Sequence, residues 1–297
     1  MEDQYSINAE VIDTKNYSVP QTRQRTILLL TKTGEPREWR LPPCEKNLIS
    51  LEDAIGDLPS LDPIVKDISR SELLKLFPLY QEKIKAAQKI SRWHYPPEHI
   101  LRQVITMMHT PTGKTAFDNE KYVPMKNDGT VVRGYKSTYR RLRWCDPAST
   151  VTMDNRKISS QNNVHPGRYI GKDENGDDLY SDARALTLFE LMRVMSLPDN
   201  WPLPDDVNVA FVRSIIGEGI PPMFVKKVFE RISDVPQSLC RELRRDVGRK
   251  KAGSQIRRLL SAPGHVGPYL QGTRPVGGKE SAEAQNGAFR LLCRKEW

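Results

Sequence analysis

The residues best placed to do chemistry lie near the start, in Val19-Pro20-Gln21-Thr22-Arg23-Gln24-Arg25. Alternate residues of an extended chain share a face, so Arg23 and Arg25 point the same way. Two guanidiniums at one rim suit a phosphate or the acceptor edge of a base, because each offers a planar fork of donors that stays protonated. A solvated hairpin tip is the competing reading. A second candidate is Gly217-Glu218-Gly219-Ile220-Pro221-Pro222, a glycine-flexed turn before a helix, where bare amides face an anion or ligand carboxylate. The four cysteines, Cys44, Cys145, Cys240 and Cys293, lack CxxC spacing, which points to neither a zinc site nor a disulfide framework. Gly113-Lys114-Thr115 lacks the upstream glycine of a phosphate loop and is not read as one.

Two short apolar runs, Ala9–Asp13 and Thr26–Thr31, flank the arginine turn and read as strands. Ser50–Pro59 opens on a capping serine three residues before an acid, so a short helix is expected there, and Ser69–Phe77 and Leu79–Ile90 continue in helical pattern around Pro78. From Tyr95 to Met153 turn residues recur every few positions, which predicts an irregular, β-rich module dominated by loops. Thr187 with Glu190 forms a capping box, and Leu188, Leu191, Met192 and Met195 then share one helical face. Further helices are expected over Val207–Ile216 and Met223–Ile232.

The chain has 297 residues, 38% of them hydrophobic, enough for one large or two modest cores. No apolar run approaches the roughly 20 residues that cross a bilayer. The opening Met-Glu-Asp-Gln is not a basic and apolar leader, so a cytoplasmic protein is expected. The net charge of +9 is concentrated in two zones. Residues 236–297 carry 13 basic against 5 acidic groups, and residues 90–168 carry 13 against 6. The middle zone mixes its charge with Trp93, Tyr95, Tyr122, Tyr139 and Trp144, a combination suited to a polyphosphate backbone and stacked bases. In the last zone Glu242–Leu260 reads as a basic helix, and Ser261–Lys279 is Gly/Pro-rich without periodicity.

Three separated pieces together resemble the C-terminal half of the DNA (cytosine-5) methyltransferases. Val19 to Arg25 looks like that family's eighth motif, Arg184-Ala185-Leu186-Thr187 through Glu190, Arg193 and Leu197-Pro198-Asp199 is similar to the ninth, and Gly217 to Pro222 resembles the tenth, with Glu218 where Asn is usual. Pro147-Ala148-Ser149-Thr150-Val151-Thr152 matches the family's threonine-containing strand. The resemblance implies an α/β, Rossmann-like fold that binds S-adenosylmethionine, present in part, beside a small β-rich target-recognition domain. It divides the chain into 1–89 (strands and linker helices), 90–180 (target recognition), 181–235 (returning helices) and 236–297 (a basic tail).

The resemblance also assigns residues. Arg25 falls on the flipped cytosine's O2, with Arg23 nearby on base or phosphate. Thr150 falls on a backbone phosphate, and Gly219, Ile220 and Pro221 lie beside the cofactor. Within the module, Lys114, Arg133, Arg140, Arg141 and Arg143 are candidates for phosphate or guanine contact. Arg184 has two readings, an ion pair anchoring the module or a DNA contact. The family's Gly-rich cofactor turn, Pro-Cys nucleophile loop and Glu-Asn-Val strand have no counterpart in the sequence. Pro43-Cys44 follows the eighth motif instead of preceding it and is not read as the nucleophile. A prokaryotic or phage-type subunit is therefore expected, inactive alone, which acts on double-stranded DNA with an α-type partner chain. The alternative is a truncated, non-enzymatic DNA-binding homologue.

Overall fold

The computed structural model describes residues 4–35, 39–119, 121–133, 139–155 and 164–232, and the 236–297 tail lies outside them. Residues 1–234 group as one compact unit. Strands β1 (Tyr5–Asp13) and β2 (Gln24–Lys32) pair antiparallel from Tyr5↔Lys32 to Asp13↔Gln24. One face of this hairpin carries Ile12, Ile27 and Leu29 into a core with Tyr17, Val19, Phe224 and Val228. The opposite face carries Ile7, Val11, Leu28 and Leu30, all exposed.

Among the described residues, five α-helices precede the last pair. They are α1 (Leu51–Ile55), α2 (Arg70–Leu76), α3 (Tyr80–Ile90), α4 (Leu101–Met108) and α5 (Leu188–Val194). Ser50 caps α1 reciprocally with Asp53, Ser69 caps α2 with Glu72, and Thr187 caps α5 with Glu190, as the serine or threonine spacing requires. Helix α5 is buried nearly all round, not on one face alone. Helices α6 (Val209–Glu218) and α7 (Pro222–Ile232) close the described chain. No helix among the described residues is long and apolar enough to cross a membrane.

One expectation needs correction. Among its described residues the module between 90 and 180 is not rich in strand: it contributes β4 (Glu98–His99), β5 (Tyr169–Lys172) and β6 (Asp178–Tyr180), with isolated bridges such as Met125↔Val131. Its Leu101–Met108 stretch is helix, because Val104, Met107 and Met108 fall on one buried face, and this outweighs the β-branched Val104-Ile105-Thr106 run. Sheets among the described residues are pairs only, β1 with β2, β5 with β6, and the two-residue β3 (Ile64–Val65) parallel to β4. The central core joins Leu51 and Ile55, Leu142, Ala148 and Val151, and the buried sides of α5 and α6, so the segments that flank the module share its packing.

Candidate functional site

The arginine turn is not a solvated tip. A 3-10 turn follows β1 at Thr14–Tyr17, and Ser18 reverses the chain at φ 59°. Tyr17, Val19, Gln21 and Arg23 are all buried. The turn closes on itself: Thr14 N donates to Arg23 O at 3.1 Å, Thr14 Oγ1 donates to Gln21 O at 2.9 Å, and Arg23 N donates to Asp13 Oδ1 at 3.0 Å.

The segment carrying Thr150 is zipped against this turn. Thr22 N donates to Ala148 O at 2.8 Å and Ala148 N to Pro20 O at 2.9 Å. Gln21 Oε1 accepts from Val151 N at 2.9 Å, and Thr150 Oγ1 donates to Thr22 O at 2.7 Å. Thr150 is exposed, with its single hydroxyl proton spent on that carbonyl. Binding a phosphate through the hydroxyl requires the proton to turn away from Thr22.

Arg23 binds neither base nor phosphate in this arrangement. It is fully buried, with Nη1 donating to Val151 O at 2.6 Å and Nη2 to Gly217 O at 2.7 Å. Burial, with the nearby Arg25 charge, lowers its pKa to about 10, so it remains a cation at neutral pH. Arg25 is half-buried, and its Nη1 rests on Gln24 O at 2.7 Å, a weak tether that an incoming acceptor can displace.

Gly217 lies inside α6 and not in the turn that follows. A Cβ there would sit 2.1 Å from Thr152 O, so the helix approaches the Thr150 segment as closely as a glycine permits. The turn reduces to Gly219, Ile220 and Pro221, with Ile220 exposed and Pro221 buried. Added atoms at Gly219 would meet only ordinary contacts at 3.5 Å or more.

Of the module's candidate cations, Lys114, Arg140 and Arg143 come together. Arg141 N donates to Lys114 O, Gly113 N donates to Leu142 O, and the Arg143 side chain lies over Gly113, 2.7 Å from where a Cβ would stand. All three side chains are exposed, and Arg143 also meets Asp146 at 3.4 Å. Arg133 is exposed just beyond the turn closed by the Met125↔Val131 bridge.

Arg141 is a correction, and of the two readings of Arg184 the structure has the ion pair, since neither side chain has exposed surface to offer DNA. Arg141 donates to the carbonyls of Met107, His165, Tyr180 and Asp182, gathering three backbone segments: the end of α4, the chain at His165, and β6 with the residues just after it. Arg184 meets Asp182 at 2.8 Å and Glu190 at 2.8 Å. Burial alone would raise both carboxyls. Arg184, joined in acid by His165, holds them well below the ordinary carboxylate range. His165 lies 4.0 Å from Asp182 and 3.7 Å from Glu190. Burial nonetheless lowers its pKa to about 4, because Arg184 already neutralises those carboxylates.

Arg168 was missed as a candidate. Its guanidinium stacks 4.5 Å from the Trp144 ring centroid while pairing with Glu52 of α1. The basic and aromatic mixture of the middle zone carried the signal for it.

The 236–297 tail apart, the chain matches the model of the C-5 cytosine-specific DNA methylases over residues 1–234. It is 41% identical over 229 residues to the Type II methyltransferase M1.HgaI of Avibacterium volantium, covering 77% of this chain and 56% of that protein. It is 24% identical over 250 residues to the Type II methyltransferase M.DdeI of Desulfomicrobium norvegicum, covering 77% and 54%. A solved DNA modification methyltransferase encoded within an E. coli prophage superimposes with a TM-score of 0.46 at 15% identity, over 79% of this chain and 62% of that one. The chain spans about half the length of the curated relatives it matches. On the extent of the family match, this chain belongs to the C-5 cytosine-specific DNA methylase family.

Proposed function

We propose that this chain is the DNA-recognising part of an S-adenosylmethionine-dependent DNA (cytosine-5) methyltransferase, and that the reactive thiol comes from outside these 297 residues, on an α-type chain. One observation carries the reading. The arginine turn, the Thr150 segment and the end of α6 form one hydrogen-bonded junction, with half-buried Arg25 and exposed Thr150 on it.

The target cytosine must leave the stack, because neither face of its ring is accessible within a duplex. The incoming thiol adds to C6, and electron density moves toward the ring's O2. Arg25, already a fixed cation, stabilises that charge most where it is greatest, in the transition state. Thr150 holds the adjacent phosphate, and Lys114, Arg133, Arg140 and Arg143 contact the duplex. S-adenosylmethionine supplies an electrophilic methyl group. The exposed Ile220 and the open Gly219 fit one apolar wall for its methionine part, beside Pro221. Functionally, 1–89 completes the catalytic domain, 90–180 recognises DNA and 181–235 returns to the catalytic domain.

The hairpin supports a second body. An isolated two-stranded hairpin is marginal, and among the described residues no third strand joins this one, which leaves Ile7, Val11, Leu28 and Leu30 in water. A further sheet segment from the thiol-bearing part would cover that face. Bisulfite sequencing of DNA from cells expressing this chain tests the proposal. Methylcytosine is expected when a thiol-bearing α-type segment of the family is co-expressed, and none without it. Methylation by this chain alone would refute the proposal.

A further inference from the structure

We infer that Arg23 is a positioning residue, which fixes the Thr150 segment and the end of α6 at a set distance from Arg25 and makes no contact with DNA. The inference deepens the proposed function and rests on it for its catalytic purpose. Arg23 spans two backbone carbonyls from distant parts of the chain, Val151 O and Gly217 O. Val151 is bracketed, since Gln21 accepts its N–H while Arg23 takes its carbonyl. The other bonds between turn and segment, at Pro20, Thr22 and Ala148, would hold the segment without Arg23. None of those bonds reaches α6, which meets the segment separately one turn earlier, where Asn155 and Arg213 bond to each other. Among the described residues the guanidinium is what joins the turn and Val151 to the helix end at Gly217.

The chemistry explains why an arginine is needed. A planar fork delivers two donors from separate nitrogens in fixed directions, whereas a lysine ammonium carries its donors on one nitrogen at the end of a flexible stem and fixes no such spacing. Among the described residues no carboxylate bonds to the Arg23 guanidinium, its Nε has no hydrogen-bond partner, and Arg25 lies close enough to repel it. A buried cation without a counter-ion is a poor stabilising device. Its geometry is what the site gains. The consequence falls on Arg25, two residues along the chain at the start of β2, and on Thr150, which shares a segment with the clamped Val151.

The test uses R23K and R23Q in the full chain, alone and mixed with a thiol-bearing segment. In the chain alone, hydrogen exchange is expected to quicken about tenfold or more in peptides covering Ala148–Asn155 and Gly217–Pro221, with α1 to α3 unchanged. The slope of DNA affinity against salt should match wild type, because no phosphate contact is lost. In the mixture, kcat should fall about 10²-fold with KM for DNA within about threefold, and R23K should recover part of the loss. Three results would overturn the inference: a salt slope reduced by about 0.9, unchanged exchange at both segments, or unchanged kcat. A wild-type chain that binds no DNA would sink the proposed function and with it the purpose of the clamp. The exchange experiment would still report the clamp itself, which separates the two failures.

Discussion

At the scale of the residue, four of the candidate arginines, buried or half-buried, divide into separate jobs. Arg141 and Arg184 hold backbone and carboxylates, Arg23 holds carbonyls, and Arg25 alone keeps a guanidinium tethered only to its neighbour's carbonyl. R25A is therefore expected to lower single-turnover methyl transfer by about 10²- to 10³-fold, while DNA affinity changes less than about tenfold. An equal loss in affinity would make Arg25 a simple phosphate contact. The same scale gives a pH dependence. Burial lowers His99 and His165 to about 4, so the unfolded chain binds more protons than the fold below its ordinary histidine value. Their contribution is complete above about pH 6.5 and is lost as pH falls toward 4. Urea unfolding should weaken by about 1.4 kcal/mol per pH unit for each histidine between pH 6.5 and 4.5, with H165Q removing one share. A flat profile over that range would show that these rings take up protons in the folded state.

At the scale of the element, local signals were legible and tertiary ones were not. The capping boxes at Ser50, Ser69 and Thr187 can be read because cap and acid sit three residues apart. The hairpin register follows from two alternating strands around one turn. Helix α4 was hidden by its β-branched run. The burial of Arg23 and Arg141 was invisible because their acceptors are carbonyls brought from far along the chain. Gly217 was read as part of a flexible turn, yet its missing Cβ serves the packing of α6 on Thr152. G217A should therefore destabilise the fold by about 1–3 kcal/mol or more and loosen the Thr150 segment. An alanine variant with wild-type melting would mean that the helix can back away at no cost.

At the scale of the whole molecule, the three resemblance motifs and the threonine segment, far apart in sequence, meet in one compact unit. Lys114, Arg140 and Arg143 are exposed on two backbone segments that hydrogen-bond to each other. Alanine at each of these three should reduce the salt slope of DNA binding by about 0.9, whereas alanine at buried Arg141 or Arg184 should act on folding and leave the slope of the folded fraction alone. Equal slopes for the Lys114, Arg140 and Arg143 variants and wild type would move the DNA surface elsewhere.

The most direct measurement of where the reactive thiol resides is covalent trapping on duplex DNA containing 5-fluorocytosine, in the presence of S-adenosylmethionine. The fluorine at C5 prevents release of the enzyme once the thiol has added at C6 and the methyl has transferred. In a mixture of this chain with a thiol-bearing α-type segment, the denatured adduct is expected on the added segment alone. An adduct on this chain, at Cys44, Cys145, Cys240 or Cys293, would contradict the assignment.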